Sequence, residues 1–281
     1  MKLLGLLICL QGLAGQEQPL IRDYVSAVVG PLPAELKLDP FYQKYADALG
    51  VPVVSSGKTP DAALLVARDI IIHMLAKRPD LREALISRRW RVGVMAQTEF
   101  TTDIPEHRNL KKPRLSEYDL KTYPHLKDAT DKEYWDGRAR GLGGNPTTCA
   151  EENLLGYPGT RYFGENILVH EFAHAIHNGA IRTADPKLFD EIKQAYAAAM
   201  EAGLWKGHYA ANNPSEYWAE GTQTWFYSNY EFIDGGQRII SPSDLASYDP
   251  RLHELLSRVY AGHRIPMDVY HGKEIPPPKR K

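Results

Sequence analysis

Apolar residues recur at three- and four-residue spacings through residues 23–29, 40–49, 60–76 and 79–87, and each stretch predicts a helix. Pro31, Pro33, Pro52, Pro60 and Pro79 punctuate the series. Residues 16–89 thus read as an N-terminal helical region. A layer packed on the rest of the chain is favoured over a removable pro-segment, because no basic processing site stands out. The pattern changes at residues 90–102, which are rich in β-formers and end in Asp103-Ile104-Pro105. That predicts one or two strands of a small sheet, lying along a cleft or in the core. Residues 106–164 carry charge, Gly, Pro and Tyr without repeats and read as a long excursion, loosest at 138–144. Helical spacing returns at residues 165–178, at 186–204 with Leu188, Ile192, Tyr196 and Met200 along one side, from Asn213 towards Tyr227, and at 249–260. The sum predicts an α+β fold, mainly helical with a small sheet.

The two ends modify this picture. Met1-Lys2, an apolar run over residues 3–10 and small residues at Gly12, Ala14 and Gly15 predict a secretory signal peptide over residues 1–15. The run is too short to span a bilayer, and Ile70-Ile71-Ile72 is flanked by Arg68, Asp69 and His73, so it reads as a buried helical turn. The expected product is an exported protein of about 265 residues without integral membrane association. Residues 273–281, with Pro276-Pro277-Pro278, form a solvated tail.

Loss of the leader would remove Cys9 and leave Cys149 alone, so stability has to come from the core rather than from a disulfide. Cys149 reads as a buried inert thiol, with capping of a metal as the lesser alternative. The 34 basic and 35 acidic residues nearly cancel, which argues against nucleic acid or an anionic membrane as the main partner.

The chemistry concentrates in His170-Glu171-Phe172-Ala173-His174. On a helix, positions four apart share a face, so the two imidazoles can grip one Zn²⁺ while Glu171 handles the water beside it. Uncharged, mostly apolar neighbours and the absence of proline suit that helix. A catalytic zinc takes a third protein ligand and keeps a position for water. His177 follows on the same helix but points away. With His177 and Ala180 where a metzincin has Gly and His, that class is rejected. Glu191 is one candidate. Glu216 is the stronger, because Asn213 can cap and Pro214 can start a largely buried helix carrying both Glu216 and Glu220 on one face. Glu220 would then accept a hydrogen bond from a ligand imidazole and fix its tautomer.

The pairing of His170-Glu-Phe-Ala-His174 with Asn213-Pro-Ser-Glu216-Tyr-Trp-Ala-Glu220 resembles the gluzincin catalytic domain of anthrax lethal factor and its relatives, over roughly residues 160–230. The resemblance implies a zincin-like catalytic domain, here residues 90–272, with His170, His174 and Glu216 on zinc and Glu171 as general base. It also implies that Tyr209, seven residues before Glu216, faces the substrate and donates to the oxyanion. The loop between the two zinc helices is slightly shorter here than in that family. The expected activity is that of a secreted zinc-dependent metallopeptidase acting on protein or peptide substrates. The alternatives are hydrolysis of a non-peptide amide or ester, or a catalytically silent binding protein with a retained zinc site.

Overall fold

The first regular element is a hairpin where the spacing predicts a helix. In a computed structural model, which describes residues 28–115 and 117–266, strand β1 (Gly30–Pro31) pairs antiparallel with β2 (Lys44–Ala48), and β2 with β3 (Val51–Ser55). Residues 40–49 are therefore not a helix. Leu49 and Gly50 both take positive φ (54° and 96°), as a two-residue hairpin turn requires, and the Gly50 N–H donates to Asp47 Oδ1 at 2.9 Å. Val51, Val53 and Val54 of β3 are fully buried. The predicted leader, nearly all of the 23–29 helix and the 273–281 tail lie outside the described residues.

Two predicted helices follow, α1 (Asp61–Met74) and α2 (Pro79–Ser87), with Pro79 at the first helical position of α2. They form the crossover that a parallel pair needs, since β4 (Val92–Met95) runs parallel to β3. Ile70 and Ile71 are fully buried and Ile72 nearly so, which places the apolar turn in the core; each such side chain contributes about 1.5–3 kcal/mol. Strand β4 is an interior strand with neighbours on both sides, so it offers no free edge to a cleft.

The excursion at 106–164 is more structured than its composition suggests. It holds α3 (Glu117–Thr122), α4 (Asp131–Arg138), β5 (Thr147–Ala150) and the single turn α5 (Glu151–Leu154). Strand β5 is wholly buried and parallel to β4, completing a five-stranded mixed sheet in the order β1-β2-β3-β4-β5. Three of its strands come from before residue 90 and two from after, so the N-terminal region and the remainder share one sheet. The glycine-rich run 138–144 is pinned. Arg140 forks onto Glu152 (2.6 and 3.0 Å) and donates to the carbonyls of Ala96 and Glu99, and Leu142 exchanges both backbone hydrogen bonds with Thr148 of β5.

The second half is helical. Helix α6 (Ile167–His174) lies on β5 and continues through a wider π-turn (Ala175–Ile181) into α7 (Arg182–Ala184). Helix α9 (Pro214–Trp225) packs on α6, and α8 (Pro186–Glu201), α10 (Pro242–Tyr248) and α11 (Pro250–Tyr260) pack on α9, with a small hairpin β6 (Phe232–Asp234) and β7 (Gln237–Ile239). Helix α9 lies in the middle of this group: Tyr217, Trp218 and Ala219 are fully buried, and Tyr217 donates to the buried Asp249 carboxylate at 2.7 Å. The molecule is thus α+β, with helices outweighing a small mixed sheet. Among the described residues no helix is long and apolar enough to cross a membrane.

Candidate metal centre

Two caps place the site. Helix α6 starts at Asn166, whose Oδ1 accepts from the Val169 N–H, while Asn153 Oδ1 accepts from the Ile167 N–H. His170 and His174 therefore stand one turn apart on the same face. Helix α9 starts at Asn213, whose Oδ1 accepts from the N–H groups of both Ser215 and Glu216, with Pro214 at the first position. That cap fixes the backbone of Glu216 itself.

The two faces meet. His170 Nε2 lies 3.0 Å from Glu216 Oε2 and 3.2 Å from His174 Nε2, and His174 Nε2 lies 3.2 Å from the same carboxylate oxygen. Among the described residues this is the group of histidine, cysteine and acidic side chains able to converge on one cation. A metal with bonds of about 2.0–2.1 Å in a tetrahedral arrangement needs its ligand atoms a little over 3 Å apart, so the three donors fit that demand. The second atoms of the rings are held as well. Gln223 Oε1 lies 2.9 Å from His170 Nδ1, and Ser215 Oγ lies 2.8 Å from His174 Nδ1 while also accepting from Asn178 Nδ2 at 2.9 Å. Gln223 Nε2 donates to the Asn166 carbonyl at 3.1 Å, and a carbonyl can only accept, so the amide oxygen has to face His170. His170 thus carries a proton on Nδ1 and directs Nε2 at the common focus, and the Ser215 hydroxyl anchors Nδ1 of His174.

The hydrogen bond expected of Glu220 is made by Gln223. Glu220 Oε1 stays 3.5 Å from His170 Nδ1, and its other oxygen accepts from Asn229 Nδ2 at 2.6 Å, so Glu220 acts on the ring through charge. Gln223 and Ser215 carry no expectation from the sequence. For Gln223 a signal existed, because 216, 220 and 223 share one face of α9. Glu191 is absent from the site and pairs with Arg258 and Lys187. His177 faces away, stacked on Phe189 and Trp218 with neither ring nitrogen hydrogen-bonded. Cys149 is buried in β5 against the Gly93 carbonyl, where burial pushes its thiol up; it is not one of the converging donors.

The electrostatics suit a cation. Glu165, Glu171, Glu216 and Glu220 surround the two imidazoles. Burial and the charge of Glu220 push Glu165 up to about 7. Burial also raises Glu171, against the opposing pull of His170 and His174. Burial opposes a charge on His170, yet the Glu216 hydrogen bond and the carboxylates around it outweigh that and raise the ring well above its usual range. Glu216 shows the reciprocal effect: burial would raise it, but His174 and His170 hold it well below the normal carboxylate range. A buried cluster of this sign is stabilised by a positive ion at its focus.

Two further groups border the focus. Tyr209, in the turn ahead of α9, has its ring centroid 6.1 Å from that of His170, and Arg138 Nη2 donates to its hydroxyl at 3.2 Å. Segment 139–143 passes over α6 so closely that a Cβ at Gly141 would stand 3.1 Å from Glu171 Cγ, and one at Gly143 would stand 2.7 Å from His174 Cβ. In comparisons with known proteins the chain matches no family model and no curated sequence.

Proposed function

We propose that the chain is an exported zinc metallopeptidase of gluzincin type. The observation that supports this reading is the convergence of His170 Nε2, His174 Nε2 and Glu216 Oε2 within 3.2 Å of one another, each ring oriented by a partner on its far nitrogen. Two imidazoles and one carboxylate are the donor set of many catalytic zinc sites. Bound there, zinc would polarise a scissile carbonyl and bring the pKa of water to about 7.

The remaining steps belong to the chain. Glu171, next to the first ligand and raised by burial, takes the proton of the attacking water and passes it to the leaving nitrogen. The Tyr209 hydroxyl donates a hydrogen bond to the developing oxyanion. A polypeptide substrate suits the edge beside α6. Leu142 spends both of its backbone groups on Thr148, so by the alternation of an antiparallel ladder Gly141 and Gly143 direct theirs to the other side. An extended peptide can pair there as an added strand, directly over His174.

The test is cleavage of fluorescein-labelled casein by the zinc-loaded protein and by Glu171→Gln. Cleavage by the wild type and a loss of at least about 10³-fold in the variant, with zinc still bound at one equivalent, is the expected result. Stoichiometric zinc with no cleavage of casein or of a peptide library by either protein contradicts the peptidase reading.

A further inference from the structure

One cation beside the site has no part in the chemistry above. Arg138 is the last residue of α4 and directly precedes the segment that crosses α6. Its carbonyl accepts from the Tyr162 hydroxyl at 2.6 Å, which fixes the main chain there. Its guanidinium lies 5.5 Å from the Tyr123 ring centroid and 5.9 Å from that of Tyr209, and Nη2 donates to Tyr209 Oη at 3.2 Å. A guanidinium carries donors only. At this contact the phenol oxygen therefore has to be the acceptor, and its own proton must point in another direction. The Tyr209 ring centroid lies 6.1 Å from that of His170, so the phenol borders the three converging donors.

We infer that Arg138 is a positioning residue for the reaction: by donating to Tyr209 Oη it turns the phenol proton towards the oxyanion of the substrate and, as a fixed positive charge, strengthens that donor. This rests on the peptidase reading and on Tyr209 as the group that meets the oxyanion. The rival role is purely structural, a basic residue in the last turn of a short helix complementing its dipole. The two roles differ in one respect. A positioning residue acts through Tyr209 and should lose its effect when the phenol is gone, whereas a helix-end residue should not.

The experiment is a double-mutant cycle on the zinc-loaded, full-length protein with Arg138→Met, Tyr209→Phe and the pair, using the best-cleaved member of a peptide library. Removing a single oxyanion donor costs about 10²–10³-fold in kcat, so Tyr209→Phe should fall in that range. Arg138→Met should lose about 10-fold or more in kcat with KM unchanged, and the double variant should be no slower than Tyr209→Phe alone. Arg138→Lys keeps the charge without the planar fork and should lie between wild type and Arg138→Met. A second readout does not depend on turnover. The affinity of a phosphinic analogue of the same peptide, measured by calorimetry, should drop in Arg138→Met and Tyr209→Phe and drop no further in the pair. Equal zinc content and thermal midpoints show that the variants are folded; should Arg138→Met fail to fold, Arg138→Lys alone and in the Tyr209→Phe background carries the cycle.

Multiplying losses in the double variant, or an unchanged kcat in the folded Arg138 variants, overturn this inference while leaving the peptidase reading intact. A wild type that binds zinc and cleaves nothing overturns that reading and this inference with it.

Discussion

Gln223 Oε1 lies 2.9 Å from His170 Nδ1, and the amide nitrogen of the same side chain donates to the Asn166 carbonyl at the start of the helix that carries His170. One glutamine on α9 therefore holds both the His170 ring and the start of helix α6. Substituting it should weaken metal binding without removing a ligand. Gln223→Met keeps length and approximate volume but leaves Nδ1 without an acceptor. We expect zinc affinity to fall about 10–100-fold, measured by competition with a chelator, with the ligand trio intact. An unchanged affinity would assign the tautomer to Glu220 alone.

Gly143 is the second position where one atom decides the geometry. A Cβ there would come within 2.7 Å of His174 Cβ and 2.9 Å of its Cδ2, so the ring or the crossing segment has to move. Gly143→Ala should cost about 1–3 kcal/mol in chemical denaturation and lower zinc affinity together with it. Gly30→Ala, where nothing stands within 4 Å, is the matched control and should leave metal affinity unchanged. Wild-type metal affinity in Gly143→Ala would mean that the segment does not press on the ligand.

The convergence of His170, His174 and Glu216 was legible because local rules place them: a four-residue spacing on an apolar helix, and an Asn-Pro start that sets Glu216 in the first turn of the next. The sheet was not. Residues 40–49 carry apolar side chains at helical spacing, and the turn that overrides them puts Leu49 at positive φ, where a leucine gives no turn signal. Strand β5 escaped because Thr147-Thr148-Cys149-Ala150 is short and buried on both faces, so it shows no alternation. The looseness expected at 138–144 was a reading of glycine content alone. Its anchors, Glu152 and Thr148, sit on α5 and β5 respectively, and only the folded sheet brings Arg140 and Leu142 to them.

His177 yields a pH prediction. Burial holds its imidazole neutral, with a pKa lowered to about 3, and neither ring nitrogen has a hydrogen-bond partner. An unfolded histidine binds its proton near pH 6.5, so between about 6.5 and 3 the unfolded chain holds a proton that the folded one does not. This group's contribution is complete above pH 6.5 and is lost as the pH falls towards 3, at up to about 1.4 kcal/mol per pH unit. His177→Phe should flatten the acid limb of the stability profile, measured by denaturant unfolding at several pH values. An acid limb of unchanged slope would show that the ring is hydrated or paired in solution.

The claim underlying all of this is that one divalent ion is held by His170, His174 and Glu216. The most direct measurement is anomalous diffraction at the zinc absorption edge from crystals of the zinc-loaded protein. One peak within about 2.0–2.2 Å of His170 Nε2, His174 Nε2 and a Glu216 oxygen is the predicted result. A peak bound without Glu216, or no peak between the two histidines, would contradict it.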